Sequence, residues 1–208
     1  DEVAEMSRMA HAAGKQIICY KLGKSELSKE LAKSHTGAIA GNDDAFNAFI
    51  NYHGIARVEI FETLIEIPNL FKNKKRSESK RVGIVTTTGG GGAMVVESLS
   101  GSDIEIIDPG LSIKKIMQDN NIAFNNNKLV DLTIAGTKPK IVNEVISQMM
   151  KNKNCDLVVM VVGSSAKFRP EQAVEPLLKW ANYPKPLAVY VAPDAPEAVS
   201  YTHLRAHE

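Results

Sequence analysis

The sequence has few cysteines, no long apolar run and no excess of either charge. Cys19 and Cys155 are the two cysteines among 208 residues, and both lie inside short apolar runs. A disulfide framework is therefore excluded, and we expect buried thiols in a reducing compartment, the cytoplasm. No apolar run approaches the roughly 20 residues of a membrane-spanning helix, so we expect no membrane partner.

The charges nearly cancel, since 25 lysines and arginines face 24 aspartates and glutamates and leave a net charge of +1. Such a balance produces no field that attracts nucleic acid, and we expect no nucleic-acid partner. The sequence also lacks an initiator methionine and a signal peptide, and it opens on a helical pattern over residues 2–13. We therefore expect a fragment of a longer chain.

Short apolar runs alternate with amphipathic segments along the whole chain. Strands are predicted over residues 17–20, 57–59, 82–86, 104–107, 129–132, 157–162 and 187–192, and helices over 2–13, 25–32, 43–52, 60–71, 92–99, 112–119, 139–150 and 170–181. Asn42 or Asp43 is expected to cap the helix 43–52. Apolar strands without polar alternation are typical of a parallel sheet that helices cover on both faces. The predicted fold class is α/β, with two flavodoxin-like, doubly wound parallel-sheet domains, the first N-terminally and the second C-terminally truncated.

One charged segment suggests where the two domains meet. Residues 72–81 (KNKKRSESKR) include no apolar residue, which is typical of a solvated linker. We place the first domain at residues 1–73, the linker at 74–81 and the second domain at 82–199. Residues 200–208 (SYTHLRAHE) resemble the translated adapter end of a truncated reading frame, so we expect a non-native tail. His203 and His207 stand four residues apart there without a third ligand, and we predict no metal site.

Four consecutive glycines, Gly89, Gly90, Gly91 and Gly92, follow the predicted strand 82–86. Ligands of parallel sheets bind at the carboxyl ends of the strands. Glycines let the backbone approach an anion closely, and the amides of a following helix favour phosphate. The segment is not a Walker A loop, because no Gly-Lys-Ser/Thr follows, and its spacing fails the dinucleotide fingerprint G-x-G-x-x-G. We predict that it binds a small anion or a phosphorylated group.

His35 lies among small residues in the run 33–41 (KSHTGAIAG). A neutral imidazole is nucleophilic near neutral pH and can accept a phosphoryl group. Alone, this run could be a helix-capping segment, and the glycines could form an ordinary strand-to-helix turn. Together they favour phosphoryl chemistry, with His35 as the catalytic residue.

Five short stretches together form a motif set that can be compared with a protein family: 21–25 (KLGKS), 34–41 (SHTGAIAG), 54–55 (GI), 85–92 (VTTTGGGG) and 129–132 (LVDL). This set resembles the NDP-forming acyl-CoA synthetases, the ADP-forming acetate–CoA ligases of the succinyl-CoA synthetase superfamily. The resemblance extends from near residue 5 to about residue 199 and covers part of the alpha-type portion. The family has Val-Thr-Asn-x-Gly-Gly-x-Gly at the glycines. It has Asn-Pro-Val-Asp-Leu at the later strand, where Lys128 and Leu129 replace Asn-Pro.

The resemblance implies a three-stage reaction. Acyl-CoA and phosphate give an acyl phosphate, the phosphoryl group moves to a histidine, and ADP then accepts it. His35 matches the phosphorylated histidine, and Ser34, Thr36 and Gly37 are implied to shape its loop. The amides of residues 89–92 are implied to begin one of two helices that point at the phosphohistidine. Asp131 could touch this site or could equally be a turn residue.

The resemblance also implies what the complete enzyme uses. It would be an acid–thiol ligase acting on an acyl-CoA or carboxylate substrate, with coenzyme A, ATP or ADP, and Mg²⁺. The family's CoA-binding Rossmann domain would precede residue 1, and an ATP-grasp domain would follow or belong to a beta-type subunit. We therefore expect these 208 residues alone to be inactive and to bind none of the cofactors.

Two other interpretations stay open at this point. One is a ligase-like regulatory module of a protein lysine acetyltransferase; such modules usually lack the histidine that is present here. The other is a flavodoxin-like flavin-binding domain, whose first strand leads into a Ser/Thr-rich phosphate loop. Thr86, Thr87 and Thr88 offer a faint version of that loop.

Overall fold

The computed structural model describes residues 2–36, 41–71, 79–124, 128–133, 135 and 138–192. The chain divides into two compact units, residues 1–69 and 70–208, and each unit is described by itself. The predicted tail 200–208 and most of the predicted linker 74–81 lie outside the described residues. The domain limits therefore stay a prediction.

The described residues of the first unit form a short parallel sheet of two strands and four helices. Its elements are α1 (Glu2–Ala12), β1 (Ile18–Tyr20), α2 (Glu26–Thr36), α3 (Asp43–Tyr52), β2 (Ala56–Val58) and α4 (Phe61–Phe71), which ends just beyond the unit. β1 and β2 pair in parallel, with Ile18 opposite Ala56. The Asn42 side chain accepts hydrogen bonds from the N–H groups of Asp44 and Ala45 at 2.8 and 3.0 Å. Asn42 is thus the N-cap of α3, one of the two predicted candidates.

The second unit is a five-stranded sheet in which every neighbouring pair is parallel. Its elements are β3 (Arg81–Thr86), α5 (Gly89–Leu99), β4 (Glu105–Ile106), α6 (Leu111–Asp119), β5 (Leu129–Asp131), α7 (Pro139–Lys151), β6 (Leu157–Val162), α8 (Ser165–Phe168), α9 (Pro170–Leu178) and β7 (Leu187–Val191). β6 follows one edge of β3 from Val82 to Thr86. β4 and β5 therefore share the other edge, with β4 beside the start of β3 and β5 beside its end.

The central strands of this sheet are buried on both faces, as their unbroken apolar sequences predict. Val158, Met160 and Val162 of β6 point into one apolar cluster, which α7 covers with Val145 and Ile146. A second apolar cluster on the other face includes alternate residues of β3 and β6 together with one side of α5: Val82, Ile84, Val159, Val161, Val95, Val96 and Leu99. Helices thus cover both faces, and the predicted α/β class with parallel sheets is confirmed.

The two cysteines differ in their surroundings. Cys155 is buried as predicted, whereas Cys19 is half-buried because it lies on the small two-stranded sheet of the first unit. Burial raises the pKa of both thiols. Along the described ranges, none of the helices combines the length and the apolar character that a membrane span needs.

Candidate functional site

The second unit brings the carboxyl ends of three strands together at one edge of the sheet. Thr86, the last residue of β3, lies opposite Asp131 of β5 and opposite Val161 of β6. After β3 the chain adds β4 and β5 to one edge of this strand and then adds β6 to its other edge. The direction in which strands are added to the sheet therefore reverses at β3. Ligands of doubly wound sheets bind outside the strand ends at such a switch point. The glycine segment follows Thr86 directly at this position.

Three threonines connect β3 to the next helix, and hydrogen bonds fix their path. The Thr86 hydroxyl donates to the Thr88 carbonyl at 2.7 Å and accepts from the Thr88 N–H at 3.0 Å. The Thr87 hydroxyl accepts from the N–H of Gly163 at 2.9 Å, which connects the turn to the end of β6. In the described part of the chain, the hydroxyl hydrogen of Thr87 has no acceptor. This half-exposed hydroxyl is therefore available to a ligand.

The helix begins at Gly89, which corrects the prediction of a glycine turn followed by a helix at residue 92. Thr88 is the N-cap residue, and its carbonyl accepts the N–H of Gly92 at 2.9 Å. The first three amides, those of Gly89, Gly90 and Gly91, donate to no group in the described part of the chain. Such amides, at the positive end of the helix dipole, favour an anion.

Two of the glycines let α5 lie closer to the sheet than any side chain would allow. A Cβ atom added at Gly91 would lie 2.8 Å from Thr88 Cγ2 and 2.9 Å from Val161 Cγ1. A Cβ atom at Gly92 would lie 3.1 Å from Leu129 Cδ2. Packing against β5 and β6 thus overrides the low helix propensity of glycine and draws the helix start back to Gly89.

The other two glycines face outward, and one of them is close to an acidic residue. A Cβ atom added at Gly90 would have no neighbour within 4 Å, whereas one at Gly89 would lie 3.1 Å from Asp131 Oδ2. Asp131 Oδ1 accepts the N–H of Thr133 at 2.9 Å. Thr133 has a positive φ of 48°, so this bond stabilises a strained turn. Asp131 is thus a turn residue whose carboxylate also lies next to the start of α5, and its contact with a phosphoryl site stays a prediction.

The end of β6 adds a buried glycine and two exposed serines to this edge. Gly163 is buried against the threonine turn, and a Cβ atom there would lie 3.0 Å from Thr88 Cβ. Ser164 and Ser165 are exposed at the start of α8, a four-residue helix that the sequence analysis did not predict.

The predicted phosphohistidine segment lies in the first unit, and its helix is longer than predicted. α2 continues through Thr36, past the expected end at residue 32, so the backbone of His35 is helical and not in a loop. The Ser34 hydroxyl donates to the Leu31 carbonyl within this helix at 2.9 Å. No glycine or proline lies between the start of α2 at Glu26 and Gly37. The side chains of His35 and Thr36, together with Gly37, lie outside the described residues. Their predicted roles stay predictions. The same holds for the prediction that the helix starting at the glycines points at His35.

An ion-pair cluster in the first unit was missed by the sequence analysis. Arg57 donates through two nitrogens to the Asp43 carboxylate at 3.0 and 3.1 Å, and Lys21 donates to the same carboxylate at 3.0 Å. Hydrogen bonds from Arg57 first, and then from Lys21, lower the pKa of Asp43 to about 2. The Arg57 side chain is 8% exposed.

This cluster attaches the start of α3 to the strand ends. Lys21 directly follows β1, and Arg57 belongs to β2. The only sequence signal was the charge of these residues beside short strands, and nothing in the sequence shows that they share Asp43. The cluster fixes the position of the chain immediately after residues 37–41.

The chain is similar in sequence and in fold to known proteins. Residues 1–71 match the family model described as a succinyl-CoA ligase like flavodoxin domain. The ADP-forming acetate–CoA ligase of Methanocaldococcus jannaschii is 38% identical over 84 residues, which are 40% of this chain and 12% of that protein. The alpha subunit of acetate–CoA ligase (ADP-forming) I of Pyrococcus furiosus is 26% identical over 181 residues, 85% of this chain and 39% of the subunit.

A solved structure shows the same fold. The dinucleotide-forming acetyl-coenzyme A synthetase 1 of Candidatus Korarchaeum cryptofilum, in complex with phosphate and ADP, aligns with a TM-score of 0.74 at 22% identity. The match covers 95% of this chain and 44% of that one. The chain therefore spans less than half the length of each of these proteins.

The comparisons confirm the predicted resemblance to ADP-forming acyl-CoA ligases and the predicted flavodoxin-like fold. They support neither of the other interpretations, the acetyltransferase module and the flavin-binding domain. Two of the relatives, both from Pyrococcus furiosus, are named as alpha subunits.

Proposed function

We propose that this chain is part of an NDP-forming acyl-CoA synthetase that phosphorylates itself on His35. The enzyme interconverts acyl-CoA, ADP and phosphate with carboxylic acid, ATP and coenzyme A. The unpartnered amides that begin α5 at the strand ends are the observation that supports this best, in a chain whose relatives are ADP-forming acetate–CoA ligases. The run Ser34-His35-Thr36-Gly37 supplies the nucleophile.

The reaction balances in three steps. A phosphate oxygen attacks the thioester carbonyl, the C–S bond breaks, and coenzyme A leaves as the thiol while acyl phosphate forms. An imidazole nitrogen of His35 then attacks the phosphorus, and the carboxylate leaves with the electrons of the P–O bond. Finally a terminal oxygen of ADP attacks the phosphohistidine, which gives ATP and restores the imidazole.

The start of α5 would stabilise the phosphoryl group during transfer. The amides of Gly89, Gly90 and Gly91 lie at the positive end of the helix dipole, and the Thr87 hydroxyl, which donates to no acceptor among the described residues, precedes them by two positions in the chain. Fixed donors of this kind stabilise the charge that a transferring phosphoryl group spreads over its oxygens. The carboxylate of Asp131 near Gly89 opposes lasting occupancy by an anion, as is suitable for a group that must be passed on.

Other parts of the enzyme would bind the remaining components. Among the described residues, no group of three His, Cys, Asp or Glu side chains could bind a metal ion, so Mg²⁺ is assigned to the nucleotide-binding part. That part would be an ATP-grasp domain or a beta-type subunit, and coenzyme A would bind to a Rossmann domain. We propose a cytoplasmic enzyme that is inactive without these parts.

The test uses the complete enzyme and radiolabelled ATP. We expect an acid-labile, base-stable phosphate on His35, and none on a His35→Ala variant that keeps its circular dichroism spectrum. His35→Asn should also abolish turnover, because an amide nitrogen of similar size is a poor nucleophile. Label on the His35→Ala variant, or acyl-CoA formation at a near-normal rate, would show that the phosphohistidine assignment is wrong.

A further inference from the structure

Thr86 is a polar side chain in a position that an apolar one could fill. It ends β3, it is 0% exposed, and it and Ser7 are the buried polar side chains of the described residues. A buried hydroxyl destabilises a fold unless it is hydrogen-bonded, and valine has the same shape without that cost. The Thr86 hydroxyl makes two hydrogen bonds, and both of them go to the backbone of Thr88.

These two bonds hold the backbone of Thr88, the N-cap residue of α5. The Thr88 carbonyl accepts from the Thr86 hydroxyl at 2.7 Å and from the Gly92 N–H at 2.9 Å. It is therefore bound from the strand side and from the helix side at once. The methyl group of Thr86 acts in the same place, since a Cβ atom at Gly92 would lie 2.9 Å from it. Both branches of this side chain thus hold the first turn of α5.

We propose that Thr86 is a positioning residue of the phosphoryl-transfer site. Its hydroxyl sets the N-cap Thr88 and thereby aims the amides of Gly89, Gly90 and Gly91 at the phosphoryl group. Thr86 itself does not touch the group, because it is fully buried. The inference rests on the proposed function, whose own test is the labelling of His35.

The test measures steady-state kinetics of the complete enzyme with acyl-CoA, ADP and inorganic phosphate as substrates. Thr86→Val removes the hydroxyl and keeps the shape. Thr86→Ser and Thr86→Ala both lose the methyl group and differ only in the hydroxyl. A net hydrogen-bond contribution of about 0.5–1.5 kcal/mol corresponds to a change of roughly twofold to tenfold. We expect Thr86→Val, and Thr86→Ala relative to Thr86→Ser, to raise the KM for phosphate by that factor and to leave the KM for ADP unchanged.

Ser7→Ala is the matched control, because it removes the other buried hydroxyl, which donates to the His53 carbonyl in the first unit. This variant should lower Tm and leave the phosphate KM unchanged. The proposal is overturned if Thr86→Val lowers Tm as Ser7→Ala does while its phosphate KM stays normal. It is equally overturned if Thr86→Ser and Thr86→Ala share one phosphate KM.

The phosphorylation of His35 and the positioning role of Thr86 can fail separately. If His35 of the unmodified enzyme takes up label and the Thr86 variants have normal phosphate kinetics, only the positioning role is wrong. If His35 takes up no label, the proposed function itself is wrong.

Discussion

Gly90 and Gly91 are adjacent in α5, yet substitution should affect stability at one and catalysis at the other. At Gly90 a Cβ atom has no neighbour within 4 Å. Gly90→Ala should therefore leave the free energy of unfolding unchanged or raise it by up to about 1 kcal/mol through helix propensity. At Gly91 the new methyl group would lie 2.8 Å from Thr88 Cγ2 and 2.9 Å from Val161 Cγ1. Overpacking of this kind costs about 1–3 kcal/mol, so Gly91→Ala should lower the free energy of unfolding by that amount.

Catalysis should be impaired more by a substitution at Gly90 than by one at Gly91, which is the reverse of the order for stability. A β-branched side chain at Gly90 narrows the approach to the first amides of α5, and each hydrogen bond to a charged group contributes about 1.5–3 kcal/mol. Gly90→Val should therefore slow phosphoryl transfer by about tenfold or more at nearly unchanged stability. Gly91→Ala should retain more activity than Gly90→Val when both are assayed below their transitions.

The measurements are the urea midpoint by circular dichroism and the rate of His35 labelling in the complete enzyme, with Gly90→Ala as the control for Gly90→Val. Loss of the fold in Gly90→Val would mean that the glycines serve only the local geometry. A Gly91→Ala variant as stable as the unmodified enzyme would refute the close contact between α5 and β6.

Two further predictions concern stability. The lowered pKa of Asp43 means that its stabilising effect is complete above the ordinary value of 3.8 and is lost as the pH falls toward about 2. Asp43→Asn should thus lower the urea midpoint at pH 7. Between pH 3.8 and about 2, the urea midpoint of this variant should fall less steeply than that of the unmodified protein. An equally steep fall in both proteins would contradict the ion pair with Arg57. Lys185→Met should remove the ammonium group that donates to the carbonyls of Met149 and Asn152 at 3.1 and 2.6 Å. The expected loss is about 1–2 kcal/mol, and an unchanged midpoint would show that these bonds contribute nothing.

The sequence predicted the limits of helices and strands well where one local feature, such as an apolar run or an N-cap residue, was strong. β6 has the predicted limits, because six apolar residues in a row have no alternative to a buried strand. α3 also has the predicted limits, because Asn42 is a strong N-cap and His53 ends the helix. In both cases the decisive interactions are local or depend only on burial.

Two of the misjudged features, the start of α5 and the ion-pair cluster, depend on tertiary contacts, and the third, the end of α2, depends on a local bond. The start of α5 was placed too late because glycine propensity opposes a helix, while close packing against Val161 and Leu129 is invisible in the sequence. The end of α2 was placed too early because polar residues near Ser34 resemble a helix end, whereas its hydroxyl bonds back to Leu31. The cluster of Asp43 with Arg57 joins residues fourteen positions apart, and the packing of α3 against β2 brings them together.

The small clearance around Gly91 and Gly92 has a consequence for the energetics of transfer. When a phosphoryl group moves from one atom to the next, a solvent shell must turn its dipoles to follow the charge, and this reorganisation raises the barrier. The backbone at Gly91 and Gly92 leaves no room for a Cβ atom beside Thr88, Val161 and Leu129, so the first turn of α5 cannot move closer to the sheet. Its amides are fixed dipoles that are already oriented before the charge arrives. A first turn built from flexible glycines alone would lose that advantage. In α5, the absence of side chains at these two positions makes the helix start rigid.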